Sequence, residues 1–180
     1  MRVIAGTAKG VRLAPVPAGT RPVSDMAREG LFSSLGEDVA DARVLDLWAG
    51  TGALAIEALS RGATSAVLVE RGRSALAAIA ENLRRAHVAD RARVVRGDAV
   101  RFLPPAGELP YDLVFLDPPY EEGPEALDPV LARLAGGLPE GATIVLTRAS
   151  RSSTPVIPVP WAITRRLEYG DTLVLACRRR

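Results

Sequence analysis

Asp117-Pro118-Pro119-Tyr120 follows directly on the apolar run Leu113-Val114-Phe115-Leu116. In doubly wound sheets the carboxyl end of a buried strand faces the ligand crevice. The two prolines stiffen the turn and supply no N–H. The segment therefore offers the Asp117 carboxylate and the Pro118 carbonyl as acceptors, with Pro119 bracing them and the Tyr120 ring alongside. Two acceptors beside a ring suit an amino group on a flat base, whose two hydrogens point at the acceptors while the aromatic stacks on it. Such an amine is a poor nucleophile because its lone pair is delocalised into the ring. Acceptors that pull on both N–H groups favour rehybridisation and aim the lone pair at an incoming carbon. A rigid Pro-Pro turn capped by Asp117 is the structural alternative, and it loses ground only if a cofactor half precedes it.

That half is present. Val44-Leu45-Asp46-Leu47-Trp48-Ala49-Gly50-Thr51-Gly52 runs into a helix pattern over Ala53–Ser60. The glycines let the backbone turn sharply and approach a ligand, and the new helix presents unpaired N–H groups toward it. Glu70 ends the next strand pattern, where a carboxylate can take both ribose hydroxyls. Gly97-Asp98-Ala99 ends the third, where Asp98 can accept from an adenine amino group. Gly50-Thr51-Gly52-Ala53-Leu54-Ala55 also fits the looser dinucleotide pattern G-x-G-x-x-A, which raises NAD. Asp46 argues against it, since an anion at the strand end repels a pyrophosphate but suits a cationic sulfonium and ammonium. S-adenosylmethionine carries both. The expected cofactor residues are Asp46, Ala49, Gly50, Thr51, Gly52, Glu70, Asp98 and Ala99. A sulfonium is already an excellent leaving group, so the chemistry calls for no metal and no covalent intermediate.

The elements that must hold these groups are legible as short apolar runs: Arg43–Trp48, Ser65–Glu70, Ala92–Arg96, Tyr111–Leu116 and Ala142–Thr147. They are nearly continuous in Val, Leu and Ile, as parallel strands covered on both faces should be. Between them lie helix patterns, with Leu76, Ile79 and Leu83 on one face of Arg73–Ala86, and a later helix predicted to start at Pro129 with Asp128 as N-cap. It stops at Gly136-Gly137. The alternation predicts a doubly wound α/β sheet. Near the C-terminus, Ile163–Glu168 and Thr172–Ala176 flank Tyr169-Gly170-Asp171 and read as an antiparallel hairpin at a sheet edge. At the other end, Arg2–Ala5 and Val11–Ala14 suggest a small β-hairpin, and Ser24 reads as the N-cap of a helix carrying Ala27, Leu31 and Leu35.

Composition sets outer bounds. A chain of 180 residues that is 48% apolar fits one domain with a small appendage. No apolar run of about 18 residues occurs, and Met1–Gly6 lacks the core of a signal peptide. The lone Cys177 precludes an internal disulfide, so a cytoplasmic protein is expected. A net charge of +2 says little about partners, but its distribution says more. Arg2, Lys9, Arg12, Arg21 and Arg28 crowd the first 35 residues, and Arg178-Arg179-Arg180 closes the chain. Such clusters can neutralise phosphates. Lys9 is the only lysine, however, so arginine carries the positive charge everywhere and part of the pattern is compositional.

With both motifs placed, the chain resembles the bacterial 16S ribosomal RNA guanine-N2 methyltransferases of the type that modify guanine(966). The likeness covers nearly the whole length. It runs from Arg2-Val3-Ile4-Ala5-Gly6 and Thr20-Arg21-Pro22-Val23-Ser24-Asp25 through Asp46–Gly52, Glu57-Ala58-Leu59-Ser60-Arg61-Gly62-Ala63 and Asp117–Tyr120 to Tyr169-Gly170-Asp171-Thr172. Asp-Pro-Pro-Tyr is shared with several base-amine methyltransferases, whereas the Thr-Arg-Pro-x-Ser-Asp segment is more selective. The resemblance implies a Rossmann-like class I S-adenosylmethionine-dependent fold with a seven-stranded, mostly parallel sheet. It also implies a division into a β-hairpin extension over residues 1–19, which helps hold RNA, and a catalytic domain over 20–180. Arg21 and its neighbours would close over the cofactor or target loop. Trp48 and Thr51 stand where Phe and Ser are common and keep the shape of the turn; Ser33 replaces the usual Asn and receives no role.

The expected activity is methylation of a guanine N2 amine in 16S ribosomal RNA, free or in a partly assembled small subunit, by a monomer that needs no membrane. The target base must leave its stack to reach the pocket. A DNA adenine-N6 methyltransferase uses the same segment but needs a target-recognition insertion that this chain lacks. A non-catalytic RNA-binding or assembly factor is the third reading. His87, Cys177, Trp161 and Glu121-Glu122 are read as helix-end, packing, connector and loop residues.

Overall fold

The computed structural model describes residues 1–15, 23–102, 111–119, 123–152 and 155–180. The apolar runs form strands β1 (Arg43–Leu47), β2 (Ser65–Glu70), β3 (Ala92–Arg96), β4 (Leu113–Leu116) and β5 (Thr143–Ala149). Neighbours among these five are parallel, and β6 (Trp161–Tyr169) and β7 (Thr172–Arg179) complete one sheet of order β3-β2-β1-β4-β5-β7-β6. The two C-terminal strands are antiparallel, with β7 inserted beside β5. This is the expected Rossmann-like sheet with its C-terminal hairpin. The strand order reverses between β1 and β4, and the carboxyl ends of strands at such a switch are where doubly wound sheets bind ligands.

Three details of the sheet differ from the sequence reading. β3 is an edge strand, so Arg93, Val94 and Arg96 are exposed rather than covered on both faces. Cys177 lies not at an edge but in β7, between β5 and β6, where burial pushes its thiol up to about 11. Trp161 likewise leaves the connector and opens β6 as a buried residue.

Side-chain alternation divides the core into two layers. On one face Val44, Leu68, Phe115 and Val145 pack against α1 (Asp25–Leu35), α2 (Ala53–Ser60) and α3 (Arg73–Arg85). On the other, Leu45, Val114, Leu116 and Leu146 pack against α4 (Pro124–Gly137) through Leu127, Val130, Leu131 and Leu134. α4 begins earlier than expected. Gly123 is its N-cap, Pro124 takes the favoured first position, and Pro129 lies inside the helix. A proline there forfeits one backbone bond, and the buried leucine and valine stripe outweighs that loss. Ser24 caps α1 as expected, its hydroxyl accepting from the Ala27 N–H. In α3 the buried face is Ala75, Ile79, Asn82 and Leu83, while Leu76 is only half-buried.

The N-terminal segment forms a single antiparallel bridge between Arg2 and Arg12 rather than two strands. It is docked on α2. The Glu57 carboxylate accepts from Ile4 N (2.8 Å) and Ala5 N (3.0 Å), and Ser60 Oγ accepts from Ala8 N (2.9 Å). Gly6, at φ 81°, crosses so close to Ser60 that a Cβ would stand 1.8 Å from its carbonyl oxygen, which excludes every other residue. Val3, Ala8 and Leu13 join the same apolar cluster as α1–α3. Among the described residues no helix is long and apolar enough to cross a membrane.

Candidate active site

Because side chains alternate along a strand, Glu70, Asp46, Asp117 and Thr147 continue the rows of Leu68, Val44, Phe115 and Val145. Four polar groups thus stand side by side at the carboxyl ends of β2, β1, β4 and β5, on the face that carries α1–α3. The parallel register, Leu116 with Leu146, sets Asp117 level with Thr147, while Asp46, paired with Leu68 and Phe115, stands one row deeper than Glu70 and Asp117.

Asp46 is 1% exposed. Its Oδ2 accepts from Ala55 N in the first turn of α2 (3.2 Å), and its Oδ1 is buried without a partner. Burial first, then the carboxylates of Asp117 and Glu70, hold its pKa well above the usual carboxylate range. Asp117 is pushed up to about 6 by burial, against the opposing pull of a hydrogen bond from Thr147 Oγ1 to its Oδ1. Among the described residues neither carboxylate has an ion-pair partner. Pro118 is buried and Pro119 exposed, while Tyr120 lies outside the described residues.

The turn between β1 and α2 carries three left-handed residues, Trp48 (φ 62°), Gly50 (57°) and Gly52 (77°). A Cβ at Gly52 would press on Leu68 Cδ2 at 3.0 Å. Trp48 is the informative one, because a bulky side chain at positive φ is a strained conformation that its surroundings must enforce. Glu70 braces this turn: its Oε2 accepts from Gly50 N (2.9 Å), and its Oε1 from Arg71 N (2.8 Å) and Gly72 N (2.7 Å). Asp98 is placed next to it, since Gly97 N donates to Glu70 O (3.0 Å). Asp98 Oδ1 accepts from Val100 N (3.0 Å), its Oδ2 lies 4.0 Å from Arg71 Nη1, and Ala99 is buried behind it. The residues named from the sequence for the cofactor thus lie in the turns and strand ends at the same end of the sheet as Asp117 and Pro118.

The cations expected to meet RNA do not all behave alike. Arg2, Lys9 and Arg12 are exposed, and Arg21 lies outside the described residues. Arg28 needs correction. Its side chain is fully buried, donating through Nη2 to Arg2 O and to Asp25 Oδ1 (both 2.7 Å), with Nη1 3.6 Å from Glu57. A guanidinium so engaged is internal glue and offers nothing to a phosphate.

Sequence reasoning missed two site-supporting groups. Thr147 was read only as the end of a strand. Asn82 stands on a helix whose pattern reads as apolar, yet it is fully buried, accepting from Ala14 N (2.6 Å) and donating to Thr51 O (2.9 Å) in the turn between β1 and α2. Its polarity on a helix face otherwise lined by Ala75, Ile79 and Leu83 was the available signal.

Asp46, Asp117 and Glu70 form an acidic cluster with one orphaned, buried oxygen, an arrangement that would suit a cationic ligand and disfavour a pyrophosphate. Comparison with known proteins agrees with this geometry. The family described as conserved hypothetical protein 95 matches residues 1–178. Ribosomal RNA small subunit methyltransferase D of Escherichia coli K12 is 38% identical over 175 residues, covering 95% of this chain and 86% of its own. The solved structure of yhhF from Escherichia coli superposes with a TM-score of 0.86 at 36% identity, over 100% of this chain and 98% of that one. SMU.776, solved with SAH, shares the fold alone, at a TM-score of 0.67 and 15% identity over 81% of this chain and 48% of that one. From the N-terminal segment to the C-terminal hairpin, the chain belongs to the small-subunit ribosomal RNA methyltransferase D family.

Proposed function

We propose that this protein methylates the exocyclic N2 amine of a guanine in 16S ribosomal RNA, with S-adenosylmethionine as methyl donor. The observation that carries the reading is the pair Asp46, buried, and Asp117, half-buried, two carboxylates at the strand-order switch that have no ion-pair partner among the described residues. S-adenosylmethionine, when bound, supplies an activated methyl on a positive sulfur. Asp46 and the backbone of Ala49, Gly50, Thr51 and Gly52 would hold its charged methionine end, Glu70 its ribose hydroxyls, and Asp98 with Ala99 its adenine. On the substrate side the Asp117 carboxylate and the Pro118 carbonyl accept the two N–H bonds of the amine, and Pro119 keeps that pair rigid. Tyr120 is assigned to stack on the base.

A pKa of about 6 leaves Asp117 ionised at neutral pH. It can therefore stabilise the positive charge that grows on nitrogen and accept the proton that nitrogen sheds. Arg2, Lys9 and Arg12 supply phosphate contacts on the exposed side of the N-terminal segment, with Arg21 assigned beside them. The enzyme acts as a monomer, on free ribosomal RNA or on a partly assembled small subunit.

The test is product mapping. The protein is incubated with labelled cofactor and either 16S ribosomal RNA or partly assembled subunits, and digests are read by mass spectrometry. N2-methylguanine is the expected product, and Asp117→Ala should lower turnover at least about 10²–10³-fold while still gaining thermal stability from S-adenosylhomocysteine. Methylation at adenine N6, or duplex DNA outcompeting the RNA, would overturn the substrate assignment. Full function of Asp117→Ala in cells would favour a binding role instead.

A further inference from the structure

We propose that Thr147 is the positioning residue of Asp117: its hydroxyl takes one carboxylate oxygen and fixes the side chain so that the other is left for the substrate amine. The inference rests on the role given to Asp117 above. Thr147 stands in β5 beside the end of β4, its side chain 2% exposed. Its Oγ1 lies within reach of Leu116 O (3.4 Å) and of Asp117 Oδ1. A hydroxyl has one proton to give, and an ionised carboxylate is a stronger acceptor than a peptide carbonyl. The proton therefore goes to Asp117. The β-branched side chain has little rotamer freedom within a strand, so the donor is aimed rather than mobile.

Packing alone does not explain a threonine here. Its row on β5 continues Val145, its partner on β7 is Val174, and both are buried apolar residues. Valine has the same shape and would avoid burying a hydroxyl. What threonine adds is the donor. The other groups that face Asp117 act in the opposite sense or are already engaged. Asp46 from β1, with Glu70 beyond it on β2, contributes negative charge. α2 brings the Ala55 N–H, which is given to Asp46. Deeper on that face, Glu57 and Arg28 face each other. Arg148, next along β5, projects to the opposite face of the sheet. The Thr147 hydroxyl is thus the group among the described residues that holds Asp117 in its charged, acceptor-ready form.

Thr147→Val tests this without leaving a cavity, and Thr147→Ser restores the donor. The first readout is the carboxyl carbon resonance of Asp117 in ligand-free protein, titrated by NMR. The wild-type midpoint is expected at about 6. It should rise by about one unit in Thr147→Val and return in Thr147→Ser, in line with the loss and recovery of a charge-assisted bond. The second readout is the pH profile of kcat/KM. Its acid limb should move up by the same amount, and kcat should fall about 10–100-fold from misplacement with S-adenosylhomocysteine affinity unchanged. If Thr147→Val does not fold, Thr147→Ala takes its place in both measurements. An unmoved titration, or a serine variant that behaves like valine, would overturn the proposal. The NMR arm needs no substrate, so a shifted titration beside an Asp117→Ala variant that still methylates would sink the function of Asp117 and leave the Thr147 contact standing.

Discussion

Glu57 and Asp46 are both buried carboxylates on the same face of the sheet, one inside α2 and the other just before it, yet their surroundings are opposite. Glu57 accepts from the amides of Ile4 and Ala5 and from Arg61 Nε (2.8 Å), with Arg28 at 3.6 Å. Asp46 has one amide, a bare second oxygen, and two further carboxylates for neighbours. A buried charge surrounded by donors fastens the structure together, because removing any partner strands the rest. A buried charge left among like charges costs stability, and the fold tolerates it where a ligand will supply the missing sign. The first cluster docks the N-terminal segment; the second is the one to which the proposed function assigns the ligand. This contrast separates structural from functional acids where residue type alone cannot.

The contrast is most exposed to failure at Glu57. Glu57→Ala leaves the Arg28 guanidinium buried with only Asp25 and a carbonyl, and should destabilise the protein by about 3–5 kcal/mol, measured by urea denaturation. The double variant Arg28→Met, Glu57→Leu removes both charges and should recover most of that loss. A single variant that unfolds no more easily than wild type would mean that the cluster holds nothing together.

Asp117→Asn should act in the other direction. The carboxyl titrates at about 6 in the folded protein, against 3.8 for the ordinary group. A raised folded-state pKa gives stability that is fully present below the unfolded value and is lost as pH rises through the folded one. At pH 8 the ionised wild-type side chain therefore carries a penalty that asparagine does not, worth about 2–3 kcal/mol. The ligand-free Asn variant should be more stable than wild type at pH 8 and level with it near pH 3.5. Equal stability at both pH values would show that the second cluster is not strained by its charge.

These two sites also mark how far the sequence could be read. Strand, glycine turn and helix from Arg43 to Ser60 were legible because apolar period, turn residues and cap all act within a few positions. The acids Asp46, Glu70, Asp98 and Asp117 were legible because each ends a strand pattern, and a parallel sheet brings strand ends together. Glu57 and Ser60 were visible only as part of a resemblance, since what they bind lies at the far N-terminus of the chain. Arg28 was misread for the same reason: a cation in a basic stretch looks exposed until the fold buries it. The start of α4 was misplaced because two prolines could each occupy a first helical position, and only burial of Leu127 decides for the earlier one.

Asn82 links the two regions, and its replacement should have an intermediate effect. Asn82→Leu strands the Ala14 N–H and the Thr51 carbonyl, at a cost of about 1–3 kcal/mol. Because Thr51 lies in the turn to which the proposed function assigns the cofactor, the variant should also bind S-adenosylhomocysteine more weakly by calorimetry, and hydrogen exchange at Ala14 should quicken. Faster exchange with unchanged affinity would place Asn82 wholly in the structural cluster.

The smallest expected effect is at Arg61. Its Nε donates to Glu57, and its guanidinium carbon stands 5.0 Å from the centre of the Phe32 ring. At 21% side-chain exposure it retains water on one side. Arg61→Gln gives up one charged hydrogen bond and the ring contact, but Glu57 keeps two amides and Arg28. The cost should be about 0.5–1 kcal/mol, read by denaturation at low and high salt. A loss as large as that of Glu57→Ala would mean that Arg61, not Arg28, neutralises the buried acid. The docking of the N-terminal segment would then depend on a solvent-facing charge, and it should loosen as salt rises.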